Sequence, residues 1–127
     1  MTTILVIDDE PLVLNVIENV LTLEGYSIVT ACNGARGLEV LERQSVDLVI
    51  TDVFMPEKEG LETVFELRSL YPDLPVIAIS GGGYTKCIDP LPCLRVAGAC
   101  RTMAKPFKNA ELSRTVAEVL ELYGSAA

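Results

Sequence analysis

Three carboxylates, one hydroxyl and one ammonium fall where apolar runs of the chain stop. Asp8 and Asp9 follow Ile4-Leu5-Val6-Ile7, and Asp52 follows Leu48-Val49-Ile50-Thr51. Ser80 follows Val76-Ile77-Ala78-Ile79, and Lys105 follows Met103-Ala104. If these side chains meet, their chemistry is narrow. Clustered ionised carboxylates repel one another and are costly unless a cation joins them. Mg²⁺ is the cation that uses one or two carboxylates and keeps water and phosphate oxygens for its remaining positions. A hydroxyl and a mobile ammonium beside it fit a phosphoryl group and its developing charge. A carboxylate can itself be the nucleophile, giving an acyl phosphate. Asp52 lies between the acidic pair and the Ser/Lys side, so it is the candidate nucleophile.

Those side chains meet only if the runs are neighbouring strands. The chain alternates short apolar runs with amphipathic stretches. Strands are expected at Ile4–Ile7, Tyr26–Ala31, Val46–Thr51, Pro75–Ser80 and Cys100–Ala104. The first helix is expected to start at Pro11, with Asp9 or Glu10 as its cap. Its apolar stripe reads Leu12, Val13, Val16, Ile17, Val20 and Leu21, and Gly25 stops it. Asn33-Gly34 reads as a turn before a helix running to about Arg43. Leu61, Val64 and Phe65 open another helix, which ends before Pro72. A short helix is expected around Leu91 to Ala97, and Asn109 is expected to cap a last one carrying Leu112, Val116, Val119, Leu120 and Tyr123. Five β-α units imply an α/β, flavodoxin-like doubly wound fold with a five-stranded parallel sheet in the order 2-1-3-4-5. In that order the strands ending in Asp8-Asp9, Asp52, Ser80 and Ala104-Lys105 are consecutive, about 5 Å apart.

The 127 residues suit a single domain over 1–127, with a core from about 3 to 123. No histidine is present. Imidazole-dependent catalysis and phosphotransfer through a histidine of this chain are therefore excluded. The net charge is −8. An acidic chain disfavours direct nucleic-acid binding and anionic membrane surfaces. The four cysteines, Cys32, Cys87, Cys93 and Cys100, form no C-x-x-C pair and are expected to be reduced, mostly buried fillers, with Cys87 the candidate for exposure. With no secretory signal ahead of Ile4, a cytoplasmic location is expected.

The motifs also carry a family resemblance. Ile7-Asp8-Asp9-Glu10-Pro11, Asp47 through Pro56, Gly60, Val76 through Gly81, and Lys105-Pro106-Phe107 together resemble the receiver domain of two-component response regulators. The match runs from Ile4 to about Tyr123 and is of the stand-alone, chemotaxis-regulator-like type. The resemblance implies that Asp52 accepts a phosphoryl group from a histidine kinase or a histidine phosphotransfer protein. It implies that Asp9 and Asp52 ligate Mg²⁺, with Asp8 acting through water and the Phe54 carbonyl completing the site. Ser80 would hydrogen-bond a phosphoryl oxygen, and Lys105 would pair with it. Such a chain is a phosphoacceptor signalling domain rather than an enzyme, with only self-phosphorylation and self-dephosphorylation chemistry. It would act on a downstream protein, and a homodimer formed on phosphorylation is a further partner the resemblance allows.

The chain departs from the family pattern at three places. Thr102 stands where the family has an aromatic that swings inward on activation. The stretch after Ser80 is glycine-rich and then carries Pro90 and Pro92. Phe54 and Gly82, two residues beyond Asp52 and Ser80, offer no polar side chain to position water. The segment Gly81 to Leu94 is accordingly the expected moving part, and Gly81-Gly82-Gly83 lacks the spacing of a phosphate-binding loop. Three alternatives accompany the stand-alone reading: a receiver belonging to a longer regulator with a DNA-binding or enzymatic output, a pseudo-receiver that is not phosphorylated, and a Mg²⁺-dependent hydrolase.

Overall fold

A computed structural model describes residues 2–52, 60–80, 101–104 and 107–123. The strands are β1 (Thr3–Ile7), β2 (Ser27–Ala31), β3 (Leu48–Asp52), β4 (Val76–Ser80) and β5 (Arg101–Ala104). The helices are α1 (Pro11–Leu23), α2 (Gly34–Arg43), α3 (Gly60–Leu70) and α4 (Asn109–Tyr123). All four strand pairings are parallel, and the sheet order is β2-β1-β3-β4-β5. This is the doubly wound order expected from the alternating pattern. The short helix read around Leu91 to Ala97 lies outside the described residues.

Alternation of side chains along each strand divides the core into two layers. Leu5, Ile7, Val49, Val76 and Ala78 pack on one face with Leu41 of α2 and with Val64 and Leu67 of α3. Ile4, Val6, Leu48, Ile50, Ile77, Ile79 and Met103 pack on the other with Ile17 and Leu21 of α1 and Leu112, Val116 and Val119 of α4. Both faces are covered, which is why the strands read as continuous apolar runs.

The helix ends follow local chemistry. Gly25 takes φ +98° after α1. Its N–H donates to the Thr22 carbonyl at 3.0 Å, and the Tyr26 N–H donates to the Leu21 carbonyl at 3.2 Å, a Schellman closure that favours glycine. Asn33, expected as a turn residue, is the N-cap of α2, and its Oδ1 accepts the Arg36 N–H at 2.8 Å. Glu10 occupies the N-cap of α1 but makes no side-chain cap bond.

Two expectations are corrected. The α1 stripe was read as including Leu12 and Val16, yet these are 78% and 46% exposed. Ile17 and Leu21 are buried, and Val13, Leu14 and Val20 pack against them. At about 100° per residue these five define one arc, while Leu12, Val16 and the exposed Leu23 fall on its flank. Cys32, read as a buried filler, is exposed. Ala31 takes the inward position at the end of β2, so the next residue points out. Cys87, Cys93 and Cys100 lie outside the described residues.

Gly37 marks a close approach between α2 and β1. A Cβ there would overlap Ile7 Cδ1 and lie 2.9 Å from Ile7 Cγ1. Gly37→Ala would gain about 1 kcal/mol of helix propensity. Ile7 is 1% exposed and has nowhere to retreat, and overpacking costs about 1–3 kcal/mol. The expected net result is a loss of about 1 kcal/mol, read as a lower urea midpoint. A raised midpoint would mean that Ile7 repacks freely.

Candidate functional site

The parallel register sets the site. Ile7 is level with Thr51, so the next residues, Asp8 and Asp52, end adjacent strands at the same height. Asp52 is level with Ile79 on β4, and Ser80 is level with Ala104 on β5. Three polar strand endings, Asp8, Asp52 and Ser80, are thereby brought to the carboxyl edge of one sheet, on either side of the β1/β3 position where strand order reverses. Open α/β sheets bind ligands at this crevice.

Asp8 is 1% exposed and Asp52 3% exposed, among the few buried charged residues described. Asp8 is fixed from both sides. Its N–H donates to the Ala31 carbonyl at 3.1 Å, one step beyond the β1–β2 ladder. Its Oδ1 accepts the Glu10 N–H at 2.9 Å, an Asx-type turn that reverses the chain into α1. Pro11 then opens the helix, whose N-terminal N–H groups carry partial positive charge toward this corner. Asp52 ends a strand that is buried at every position. The Thr51 hydroxyl, also buried, donates to the Asp52 carbonyl oxygen at 3.1 Å.

Carboxylate oxygens of Asp8, Asp9, Glu10 and Asp52 all lie within 4.8 Å of one another. Asp9 and Glu10 are exposed, and Asp8 and Asp52 form the floor. Glu10 joins the cluster although the sequence assigns it no ligand role, placing it within the Ile7-Asp8-Asp9-Glu10-Pro11 motif and as a candidate helix cap. Two buried carboxylates with two solvent-facing ones supply hard oxygen donors and no nitrogen or sulfur. That donor set suits Mg²⁺ and leaves room for its water and phosphate ligands. Thr102 is half-buried on β5, level with Ala78. Ser80 is placed by its backbone at the end of β4. Phe54, Lys105 and the Gly81 to Leu94 segment lie outside the described residues.

An acidic crevice at the carboxyl edge of a 2-1-3-4-5 parallel sheet, with an aspartate ending its central strand, is the layout of a receiver. Residues 4–117 match the family model of the response regulator receiver domain. The chain belongs to the receiver family of two-component response regulators. It is 36% identical over 118 residues to the transcriptional regulatory protein GlrR of Escherichia coli K12, covering 93% of this chain and 26% of that protein. It is 35% identical to part of the sensor kinase CckA of Brucella abortus, covering 94% of this chain and 12% of that one. Among solved structures, the receiver domain of NtrX from Brucella abortus superposes with a TM-score of 0.87 at 30% identity, covering 94% of this chain and 98% of that one. The chemotaxis protein CheY4 of Vibrio cholerae superposes with a TM-score of 0.83 at 28% identity, covering 94% and 99%. The chain spans about a quarter of the length of GlrR. No helix among the described residues is long and apolar enough to cross a membrane.

Proposed function

We propose that this receiver accepts a phosphoryl group on Asp52 and signals through the resulting change in shape and charge. The observation that supports it is the Asp8–Asp52 pair, two buried carboxylates brought level by the β1–β3 register. The donor is a phosphorylated histidine on a kinase or phosphotransfer protein, since this chain has no histidine of its own. An Asp52 carboxylate oxygen attacks phosphorus, an O–P bond forms, and the N–P bond of the donor breaks. The departing imidazole nitrogen keeps the bonding pair and takes its proton from solvent.

Asp9 and Asp52 would hold Mg²⁺ directly, Asp8 through water, and the Phe54 carbonyl would complete the set. When bound, the ion supplies charge neutralisation between the carboxylates and the incoming phosphoryl oxygens. Ser80 would donate its hydroxyl to a phosphoryl oxygen, and Lys105 would place its ammonium against another. Phosphorylation adds about −1.5 to −2 charge, and a coupling of about 1–3 kcal/mol suffices to shift a two-state element toward a protein partner. Thr102 removes the aromatic part of the family switch, so the Gly81 to Leu94 segment carries the motion in this reading. We place the receiver in the cytoplasm, as one domain over 1–127, in contact with neither membrane nor nucleic acid.

A second reading of the whole protein has its own support. The matched relatives include proteins named as transcriptional regulators, of which this chain spans a part. In that reading the receiver governs a DNA-binding output domain in a longer polypeptide, and the length of the native reading frame decides between the two.

The phosphoacceptor reading is tested by intact mass after incubation with acetyl phosphate. One phosphoryl adduct is expected with Mg²⁺ and none with EDTA. The same mass under both conditions would leave a receiver fold that binds partners without accepting phosphate.

A further inference from the structure

A second concavity opens at the opposite end of the sheet. It has a volume of about 490 Å³ and lies where α2 runs into β3 and α3 runs into β4. We infer that this cleft is a binding site for a small organic cation with an apolar body.

The floor is apolar. Leu41 is buried, and Val46, Tyr71 and Leu74 pack against the core on the α2/α3 face of the sheet. The rim carries the charge. Asp47 and Asp73 both line the cleft, and among the described residues no lysine or arginine does. The backbone adds to that sign. α2 ends at Arg43 and α3 at Leu70, so the negative ends of two helix dipoles face this corner. Arg68, the one basic residue in the last turn of α3, donates from Nη1 to the Leu74 carbonyl at 2.7 Å. Arg43 lines a different depression, beside Cys32.

The walls are already in place. Asp47 Oδ2 accepts the Thr3 N–H at 2.8 Å, and the Asp47 N–H donates to the Thr3 carbonyl at 2.7 Å, so its carboxylate is clamped to β1. The Tyr71 N–H donates to Leu67 at 2.8 Å, the Leu74 N–H to Tyr71 at 3.0 Å and the Val49 N–H to Pro75 at 3.0 Å. A preformed apolar cleft with a few placed polar groups is the usual form of a small-molecule site, and its volume lies within the usual range. The two rim carboxylates disfavour an anion, the one guanidinium at this corner, Arg68, being held on the Leu74 carbonyl, and a neutral ligand gains nothing from the exposed Asp73 carboxylate. A cationic head against Asp47 and Asp73, with a ring or short alkyl body over Leu41 and Tyr71, satisfies both halves. The site shares no residue with the acidic crevice.

The test uses the full chain, with Mg²⁺ present, titrated with benzamidine and with benzamide, which share a ring and differ in charge. Amide resonances of Gln44 to Asp47 and of Tyr71, Asp73 and Leu74 are expected to move saturably with benzamidine. Benzamide is expected to bind roughly tenfold more weakly. Asp73 is exposed, so Asp73→Asn leaves the fold intact and is expected to weaken benzamidine about threefold. The double variant Asp47→Asn, Asp73→Asn retains an acceptor for the Thr3 N–H and is expected to erase the difference between the two probes. Equal affinity of the probes for the unmodified chain would overturn the inference. So would shifts confined to Asp8, Asp9 and Glu10, or none at all.

Discussion

Replacing Asp52 with asparagine is expected to abolish the phosphoryl adduct and, in metal-free buffer, to raise the melting temperature. The first effect follows from chemistry, because an amide oxygen is a poor nucleophile where a carboxylate is a competent one. The second follows from the geometry of the cluster. Two unit charges about 5 Å apart repel by about 3 kcal/mol at an effective dielectric constant near 20. Asp8 and Asp52 are both buried, so solvent screens that pair poorly. Both residues have further interactions, and part of the repulsion is taken to be offset. A net gain of about 1–2 kcal/mol remains, or roughly 5 °C in a domain of this size. Mg²⁺ should raise the melting temperature of the unmodified chain by mass action, and Asp52→Asn should lose most of that response. Differential scanning calorimetry in EDTA and in Mg²⁺, paired with intact mass after acetyl phosphate, reads all of these. An adduct that persists in Asp52→Asn would move the acceptor to another carboxylate of the cluster. A lower melting temperature would mean that the Asp52 charge is net stabilising as it stands.

The cluster was legible in the sequence because each of its residues closes an apolar run, and a parallel sheet converts such endings into neighbours. Asp8 and Asp52 are 44 positions apart in sequence, and the β1–β3 register makes them level. Glu10 was less legible, since a carboxylate just before Pro11 has an ordinary use at a helix N-terminus. The fold order was legible for the same reason as the site, because alternation of strand and helix with right-handed crossovers leaves few topologies.

Exposure was the harder property to read. An apolar residue on α1 joins the core only if its angle faces the sheet. Leu12, Val16 and Leu23 are as apolar as Ile17 and Leu21 and differ only in direction. Leu14 packs against the core but was absent from the stripe read from spacing. Cys32 reads as a small buried filler by residue type alone, and its exposure comes from strand alternation after Ala31. Asn33 carries the same sequence signal for a turn and for an N-cap, and the following Arg36 N–H selects the cap. In each case the residue type was informative and the missing quantity was an orientation set by tertiary packing.

Ile50→Ala is expected to cost about 3 kcal/mol and to lower the melting temperature by about 10–15 °C. Ile50 is fully buried on β3, level with Val6 on β1 and Ile77 on β4. All three belong to the layer that α1 and α4 cover. Removing three carbons there leaves a cavity bordered by two other strands, which cannot close without moving both. Leu23→Ala is the matched control, with a change within about 0.5 kcal/mol expected because Leu23 is 87% exposed. The same variant also separates stability from chemistry. Ile50 lies two residues before Asp52 on the same strand but contributes no atom to the acidic cluster. Below its lowered melting temperature, Ile50→Ala should still take up one phosphoryl group from acetyl phosphate with Mg²⁺. Loss of the adduct in protein shown by circular dichroism to be folded would mean that β3 positions Asp52 through its packing, and that the cluster tolerates little displacement of the strand beneath it. An unchanged melting temperature would instead place Ile50 outside the core.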